Sequence, residues 1–249
     1  MAQHLIFPGG GVFFWWQAGT IQALKEAMDL KDGDFCMSGA SAGSISSVMA
    51  ACDVDLHEAM RVALHLPKKS KVYSHAFLIQ KWLQEILPEN CHELCSGKVF
   101  ISITTIHLSF LPLHRKSISI FSSKQDLIDC CLASSFIPFV LDGHFLCKFH
   151  GETCVDGSFL FFLQNVPWDR AEFAGNHQDT IMMDYHNDVL LMKKHFSVLS
   201  VLDEESTQEM FDLGYKYGKE FLKTGMAIEK ALNPETIHNI VTHPQSLNK

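Results

Sequence analysis

The sequence predicts a single α/β domain with parallel strands, and three observations carry that expectation. A short apolar strand, His4 to Phe7, runs straight into glycines and then into a helical pattern. A second apolar run, Phe35-Cys36-Met37, enters Gly39-Ala40-Ser41-Ala42-Gly43. The pattern that leaves it is helical again, with Ile45, Val48, Met49 and Cys52 on one face. Strand, loop, helix, strand, turn, helix is the opening of a sheet whose neighbouring strands run parallel. Third, no internal repeat or low-complexity linker divides the 249 residues, a length that suits one domain with a substantial core.

Composition narrows the functional classes. The chain is 47% hydrophobic and 19% charged, as globular proteins are. Its 28 acidic and 20 basic residues leave a net charge of −8, which excludes nucleic acid as a general partner and binding to anionic membranes by charge alone. No apolar run is long enough to span a bilayer. The opening residues MAQHLIFPGGG lack the basic and long apolar regions of a secretory signal. The expectation is therefore a cytoplasmic protein whose eight cysteines are reduced, several of them (Cys36, Cys52, Cys154) inside apolar runs. Cys91-His92-Glu93-Leu94-Cys95 has a faint metal-ligand look, but no second well-spaced pair completes a site. Neither a metal nor a cofactor is expected.

Taken in order, the first helix carries Ile21, Leu24 and Met28 on one stripe and is expected to end near Lys31-Asp32-Gly33. From Val54 to Asn90 the pattern is helical, interrupted by a basic loop, Pro67-Lys68-Lys69-Ser70-Lys71, that suits a solvated turn or contact with phosphate headgroups. Trp82, Leu83, Ile86 and Leu87 make an apolar helical face. Val99–Ile106 and Ser117–Phe121 read as strands, joined through Ser109-Phe110-Leu111-Pro112-Leu113. Ser122 or Ser123 caps a helix, Gln125 to Ser134, that stops before Ile137-Pro138. Leu141 to Val155 reads as a hairpin with turn signals at Asp142-Gly143 and His150-Gly151. A further strand is expected over Phe196–Leu202. The long helix Glu204 to Lys223 has Met210, Leu213, Tyr217 and Phe221 on one stripe, and Gly214 and Gly218, four apart, let it approach a neighbour closely. Residues 233–249 form a polar tail.

Two stretches carry chemistry. G-x-S-x-G between a strand and a helix is the context of a nucleophile elbow: Gly39, Ala40, Ala42 and Gly43 keep the turn around Ser41 nearly free of side chains. The new helix then points its free amides, Ala42's included, at the place where an oxyanion would form. Gly9-Gly10-Gly11 could instead cradle a phosphate, but Gly-Lys-Ser/Thr and G-x-G-x-x-G spacing are both missing. Paired with Ser41, the glycines read better as the second half of an oxyanion hole. Asp156-Gly157-Ser158, directly after the apolar Cys154-Val155, sits at a strand end, where α/β proteins place functional carboxylates.

With Ser134-Ser135-Phe136-Ile137-Pro138 and Asn165-Val166-Pro167 added, these elements fall in the order used by the patatin-like phospholipases, and the chain resembles that family over roughly residues 4 to 170. The resemblance implies a three-layer α/β/α sandwich with a mostly parallel central sheet. It also implies an esterase of acyl lipids that uses a Ser–Asp dyad without histidine or metal. Two departures stand out: the family often has Arg or Lys just after the glycines, where this chain has Val12-Phe13, and Gly or Ala after Asp-Gly, where it has Ser158.

Carried onto this chain, Ser41 is the nucleophile and Asp156 the base, helped by burial that raises its pKa. Gly9, Gly10, Gly11 and Ala42 form the oxyanion hole, and Gly39, Gly43 and Gly157 support the two motifs. A triad of Ser41, Asp156 and His177, His186 or His195 is the formal alternative. Phe13, Phe14, Trp15, Trp16 and Phe159–Phe162 divide among core, acyl pocket and a membrane or lipid-droplet surface. The expected activity is cleavage of lipid acyl esters through an acyl-serine. An acyltransferase or thioesterase on the same dyad, or a non-catalytic lipid-binding protein, are the other readings.

Overall fold

A computed structural model describes residues 3–31, 35–69, 74–106, 113–159, 180–200 and 202–232. Seven strands form one sheet: β1 (Gln3–Phe7), β2 (Phe35–Ala40), β3 (Val99–Ile106), β4 (Leu113–Ile118), β5 (Cys147–Phe149), β6 (Glu152–Val155) and β7 (Thr180–Met182). They are hydrogen-bonded in the order β5-β6-β3-β2-β1-β7, with β4 also paired to β3. The strands from β3 through β2 and β1 to β7 are parallel, while β4, β5 and β6 join antiparallel. Helices flank this mixed sheet: α1 (Phe14–Lys25), α2 (Ala42–Ala51), α3 (Leu56–Lys69), α4 (His75–Ile86), α5 (Cys91–Cys95), α6 (Lys124–Ser134), α7 (Val189–Met192) and α8 (Glu204–Leu232). The arrangement is consistent with an α/β/α sandwich.

The centre of the sheet is fully buried. Leu5, Ile6 and Phe7 on β1 have no exposed surface, a continuous apolar run of the kind parallel strands covered on both faces require. β4 lies at the edge and carries His114, Arg115 and Lys116, charges that discourage pairing with another chain. Lys116 reaches Glu152 on β6 at 2.5 Å.

Several boundaries differ from the sequence expectations. The helix after the glycines stops at Lys25 rather than near residue 31. Pro67-Lys68-Lys69 belongs to the last turn of α3 instead of a loop, the proline forfeiting its own amide bond while the turns before it, from Leu56, carry the helix; Ser70 and Lys71 lie outside the described residues. The strand expected over Ser117–Phe121 is Leu113–Ile118, since antiparallel register with β3 pairs Leu113 with Ile106 and Ile118 with Ile101. The hairpin covers only Cys147–Val155 and turns at His150-Gly151; Asp142-Gly143 is a separate turn in which Asp142 Oδ1 accepts the His144 amide. Phe196–Ser200 is not a strand. Ser197 and Ser200 close a turn on each other, and Val198 gives its carbonyl to the Val12 amide. The place beside β1 goes to Thr180–Met182, a strand without a sequence signal.

The expected close approach of the C-terminal helix is present, and its neighbour is α1. A Cβ on Gly214 would fall 1.9 Å from the Trp16 carbonyl oxygen, and one on Gly218 would fall 2.7 Å from the Ala23 Cβ. Backbone meets backbone here, so Gly214→Ala forces the helices apart. Helix propensity alone favours alanine by about 1 kcal/mol. We expect the opposite sign: Gly214→Ala lowers unfolding stability by about 1–3 kcal/mol in urea denaturation.

Candidate active site

Ser41 sits on a sharp corner between β2 and α2, with φ 53° and ψ −128°. A non-glycine residue holds such a backbone only when its surroundings over-determine it. Two features do so. A Cβ on Gly43 would lie 1.9 Å from the Phe7 carbonyl oxygen, so α2 starts in direct contact with the end of β1. The Ser41 amide donates to Ser134 twice, to its carbonyl at 3.1 Å and to its hydroxyl at 2.9 Å. No side chain caps α2, so the amides of its first turn, starting with Ala42, are not taken by a capping oxygen.

Register explains how a second functional group arrives. β4 occupies one edge of β3 along Ile101–Ile106, so β2 and β6 must share the other. β2 pairs as far as Ala40 with Ser102, and the antiparallel β6 ends with Val155 at Thr104. The two strands therefore run toward each other along one edge and leave it at Ser41 and Asp156. Ser134 then joins the two corners. Its carbonyl accepts from Gly157 at 2.9 Å as well as from Ser41, its hydroxyl donates to the Ser102 carbonyl at 2.6 Å, and the Asp156 amide donates to Phe136 at 2.9 Å.

Asp156 is 2% exposed. Its Oδ1 accepts the Ser158 amide at 2.7 Å, while its buried Oδ2 closes no hydrogen bond. Burial raises its pKa to about 6; the Ser41 hydroxyl beside it is the largest opposing influence, followed by Ser158. No histidine among the described residues acts on it. His186 pairs with Asp184 at 2.8 Å, His195 is exposed, and His177 lies outside the described residues.

The glycine loop arches over this pair. The ideal Cβ position of Gly9 is 3.2 Å from the Ser41 Cβ, Gly10 packs on the Tyr185 ring, and Gly11 adopts φ +54°. Tyr185 stacks on Phe13 at 4.3 Å. Gln17, fully buried on α1, donates to the Pro8 carbonyl and accepts from Ser46 on α2, both at 2.7 Å. Sequence reasoning gives neither Gln17 nor Ser134 a role of its own; Ser134 enters only within the Ser134–Pro138 segment of the resemblance, and a glutamine among apolar helix residues is the local signal at Gln17.

Ser41 opens onto a cavity of about 410 Å³ whose walls are apolar, with Phe14, Trp15, Ile45, Leu78, Ile79 and Trp82 among them. The tryptophan pair thus splits: Trp15 faces the cavity, while Trp16 is core and donates its indole N–H to Asp188 at 2.8 Å. Residues 160–162 and 165–167 lie outside the described residues. No cluster of three His, Cys, Asp or Glu side chains that could hold a metal occurs among the described residues. Nor is any helix among them long and apolar enough to cross a membrane.

Comparison with known proteins adds the decisive point: the family model for patatin-like phospholipases matches residues 5–171. The chain belongs to that family. It is 32% identical over 173 residues to mouse 1-acylglycerol-3-phosphate O-acyltransferase, covering 66% of this chain and 40% of the relative. It is 26% identical over 163 residues to mouse omega-hydroxyceramide transacylase, covering 61% of this chain and 26% of the relative. Human patatin-like phospholipase domain-containing protein 4 is 29% identical over 183 residues, 68% of this chain and 69% of that protein. Among solved structures, VipD from Legionella pneumophila shares the fold with a TM-score of 0.52 at 13% identity, covering 90% of this chain and 67% of that one. Patatin-like membership supports lipid acyl hydrolysis or acyl transfer.

The buried carboxyl has a measurable stability signature. Asp156 titrates near 3.8 when unfolded and at about 6 when folded, so its charge opposes folding above pH 6 by about 3 kcal/mol. As pH falls the folded protein binds the proton first, and the penalty shrinks to roughly half by pH 5. Asp156→Asn removes it at every pH. Denaturation of both proteins is expected to show the variant more stable at pH 7.5, with the difference narrowing toward pH 5.

Proposed function

We propose that this protein cleaves acyl esters of lipids with Ser41 as nucleophile and Asp156 as its base. The observation that carries this reading is a hydroxyl on a strained corner beside a fully buried carboxyl, at the wall of an apolar cavity. As Ser41 Oγ bonds to the ester carbonyl carbon, its proton passes to Asp156. The carbonyl oxygen becomes an oxyanion, held by amides of the Gly9–Gly11 loop and Ala42, each such donor lowering the barrier by about 3 kcal/mol. Collapse expels the alcohol, which leaves with the proton from Asp156, and Ser41 keeps the acyl group. Water then attacks the acyl-serine, gives a proton to Asp156, and the free fatty acid departs as Ser41 regains it.

A pKa of about 6 suits this work, because the carboxyl is charged at pH 7 yet more basic than an ordinary aspartate. Hydrolysis of p-nitrophenyl acyl esters should fall by about three orders of magnitude or more in Ser41→Ala and Asp156→Asn with folding intact. The acid limb of kcat/KM should lie near pH 6. Wild-type activity in either variant rules out the dyad.

Acyl transfer is the second reading, favoured by the names of the acyltransferase and transacylase relatives. It differs only in the acceptor that meets the acyl-serine. Product analysis with 1-acylglycerol-3-phosphate added decides between them: free fatty acid alone supports hydrolysis, and a diacyl product supports transfer.

The substrate is proposed to enter from a lipid surface. Phe139 (67% exposed, φ +66°) and Phe145 (52% exposed) touch each other at 5.4 Å. Val140, next to Phe139, and Leu199 are exposed and also line the cavity. An apolar rim on a chain of net charge −8 fits a zwitterionic or neutral lipid surface rather than an anionic one. Phe139→Ser with Phe145→Ser is expected to weaken binding to phosphatidylcholine vesicles several-fold in a flotation assay. Hydrolysis of a dissolved short-chain ester should change far less, and equal losses in both would count against a docking role.

A further inference from the structure

Ser158 has no part in the chemistry above, yet it is 1% exposed and its side chain lies against the glycine loop. The ideal Cβ position of Gly9 lies 2.0 Å from Ser158 Oγ and 3.2 Å from the Ser41 Cβ, so this hydroxyl is packed directly against the loop over the nucleophile. The Asp156-Gly157-Ser158 turn does not need it. That turn is closed by the Ser158 amide on Asp156 Oδ1 at 2.7 Å, a bond any residue's backbone supplies. In the resting site Ser158 Oγ and Asp156 Oδ2 are both buried without a hydrogen-bond partner. Leaving such groups unsatisfied is costly, so a buried hydroxyl two residues from a buried carboxylate is poised to donate to it.

We propose that Ser158 is a positioning residue: its hydroxyl forms, with that of Ser41, the two-sided seat that orients the Asp156 carboxylate. This rests on the Ser41–Asp156 reading above. The side chain acts on the carboxyl in the required sense, lowering its pKa against the effect of burial. Among the described residues, Ser41 and Ser158 are the side chains that act on this carboxyl, although the hydroxyls of Ser102, Thr104 and Ser135 are also buried without a partner. β3 brings Ser102 and Thr104 to this region, the end of β2 brings Ala40, and the segment after α6 brings Ser134 to Phe136, none of them charged. The titratable groups on β2, β6 and α6 are Cys36, Glu152, Cys154, Lys124, Asp126, Asp129, Cys130 and Cys131, with Tyr185 against Gly10; none is among the influences on Asp156. Removing the Ser158 hydroxyl therefore moves the base toward its protonated form.

The test is the pH dependence of Ser41 labelling by a fluorophosphonate, followed by mass spectrometry, in wild type, Ser158→Ala and Ser158→Cys. Cysteine preserves the volume against Gly9 but donates weakly, so it carries the test if alanine fails to fold. The acid limb should move to higher pH by about 0.5–1 unit in both, a three- to tenfold loss of labelling rate below pH 6 that narrows as pH rises. Ser158→Thr, which keeps the hydroxyl, should restore the wild-type limb. A limb that stays in place in a folded Ser158→Ala or Ser158→Cys protein overturns the proposal while the dyad stands. Wild-type labelling in Asp156→Asn overturns both.

Discussion

The residue on which the site depends is Ser134. Its carbonyl takes amide hydrogens from both functional corners, Ser41 on one side and Gly157 on the other, and its hydroxyl ties them to Ser102 on β3. Two loops that leave the same strand edge in opposite directions would otherwise splay apart. One residue at the end of α6 fixes their separation, and the positive φ of Ser41 is sustained by the same bonds. The geometry is thus set mainly by main-chain groups, which have little freedom to drift.

That rigidity accommodates an unfavourable charge. Burial alone would push Asp156 higher still, and the surrounding hydroxyls and the Ser158 amide hold it at about 6. The burial that raises this carboxyl's proton affinity is therefore also what makes its charge cost stability. The fold tolerates the destabilising state because β1, β2 and α2 around it are deeply buried, from Phe7 through Ala40 to Val48 and Met49.

Much of this was legible in the sequence, and what was not shares one physical cause. Patterns confined to neighbouring residues were readable: β3 at Val99–Ile106, α6 to Ser134, the elbow at Ser41 and the strand end at Asp156. The part played by Ser134 was not, because its bond to Ser41 spans 93 positions and serine at a helix end is ordinary. Apolar spacing over Phe196–Leu202 suggested a strand, but Phe196, Val198 and Leu202 pack beside Phe13, Trp16 and Tyr185. Beside β1, three residues of Thr180–Met182 suffice for pairing, too few to register as a pattern. Alternation reports burial on one side of a segment and not what lies on that side.

Several braces of the glycine loop come from outside the stretch that matches the family. Val198 holds Val12, Tyr185 lies under Gly10, and α8 presses on α1 through Gly214, all beyond residue 171. The motif-bearing part and its scaffold are therefore not separable modules. Residues 5–171 grafted elsewhere would bring the motif residues but leave the glycine loop without these contacts, so changes in the later segment can move that loop while every signature residue stays the same.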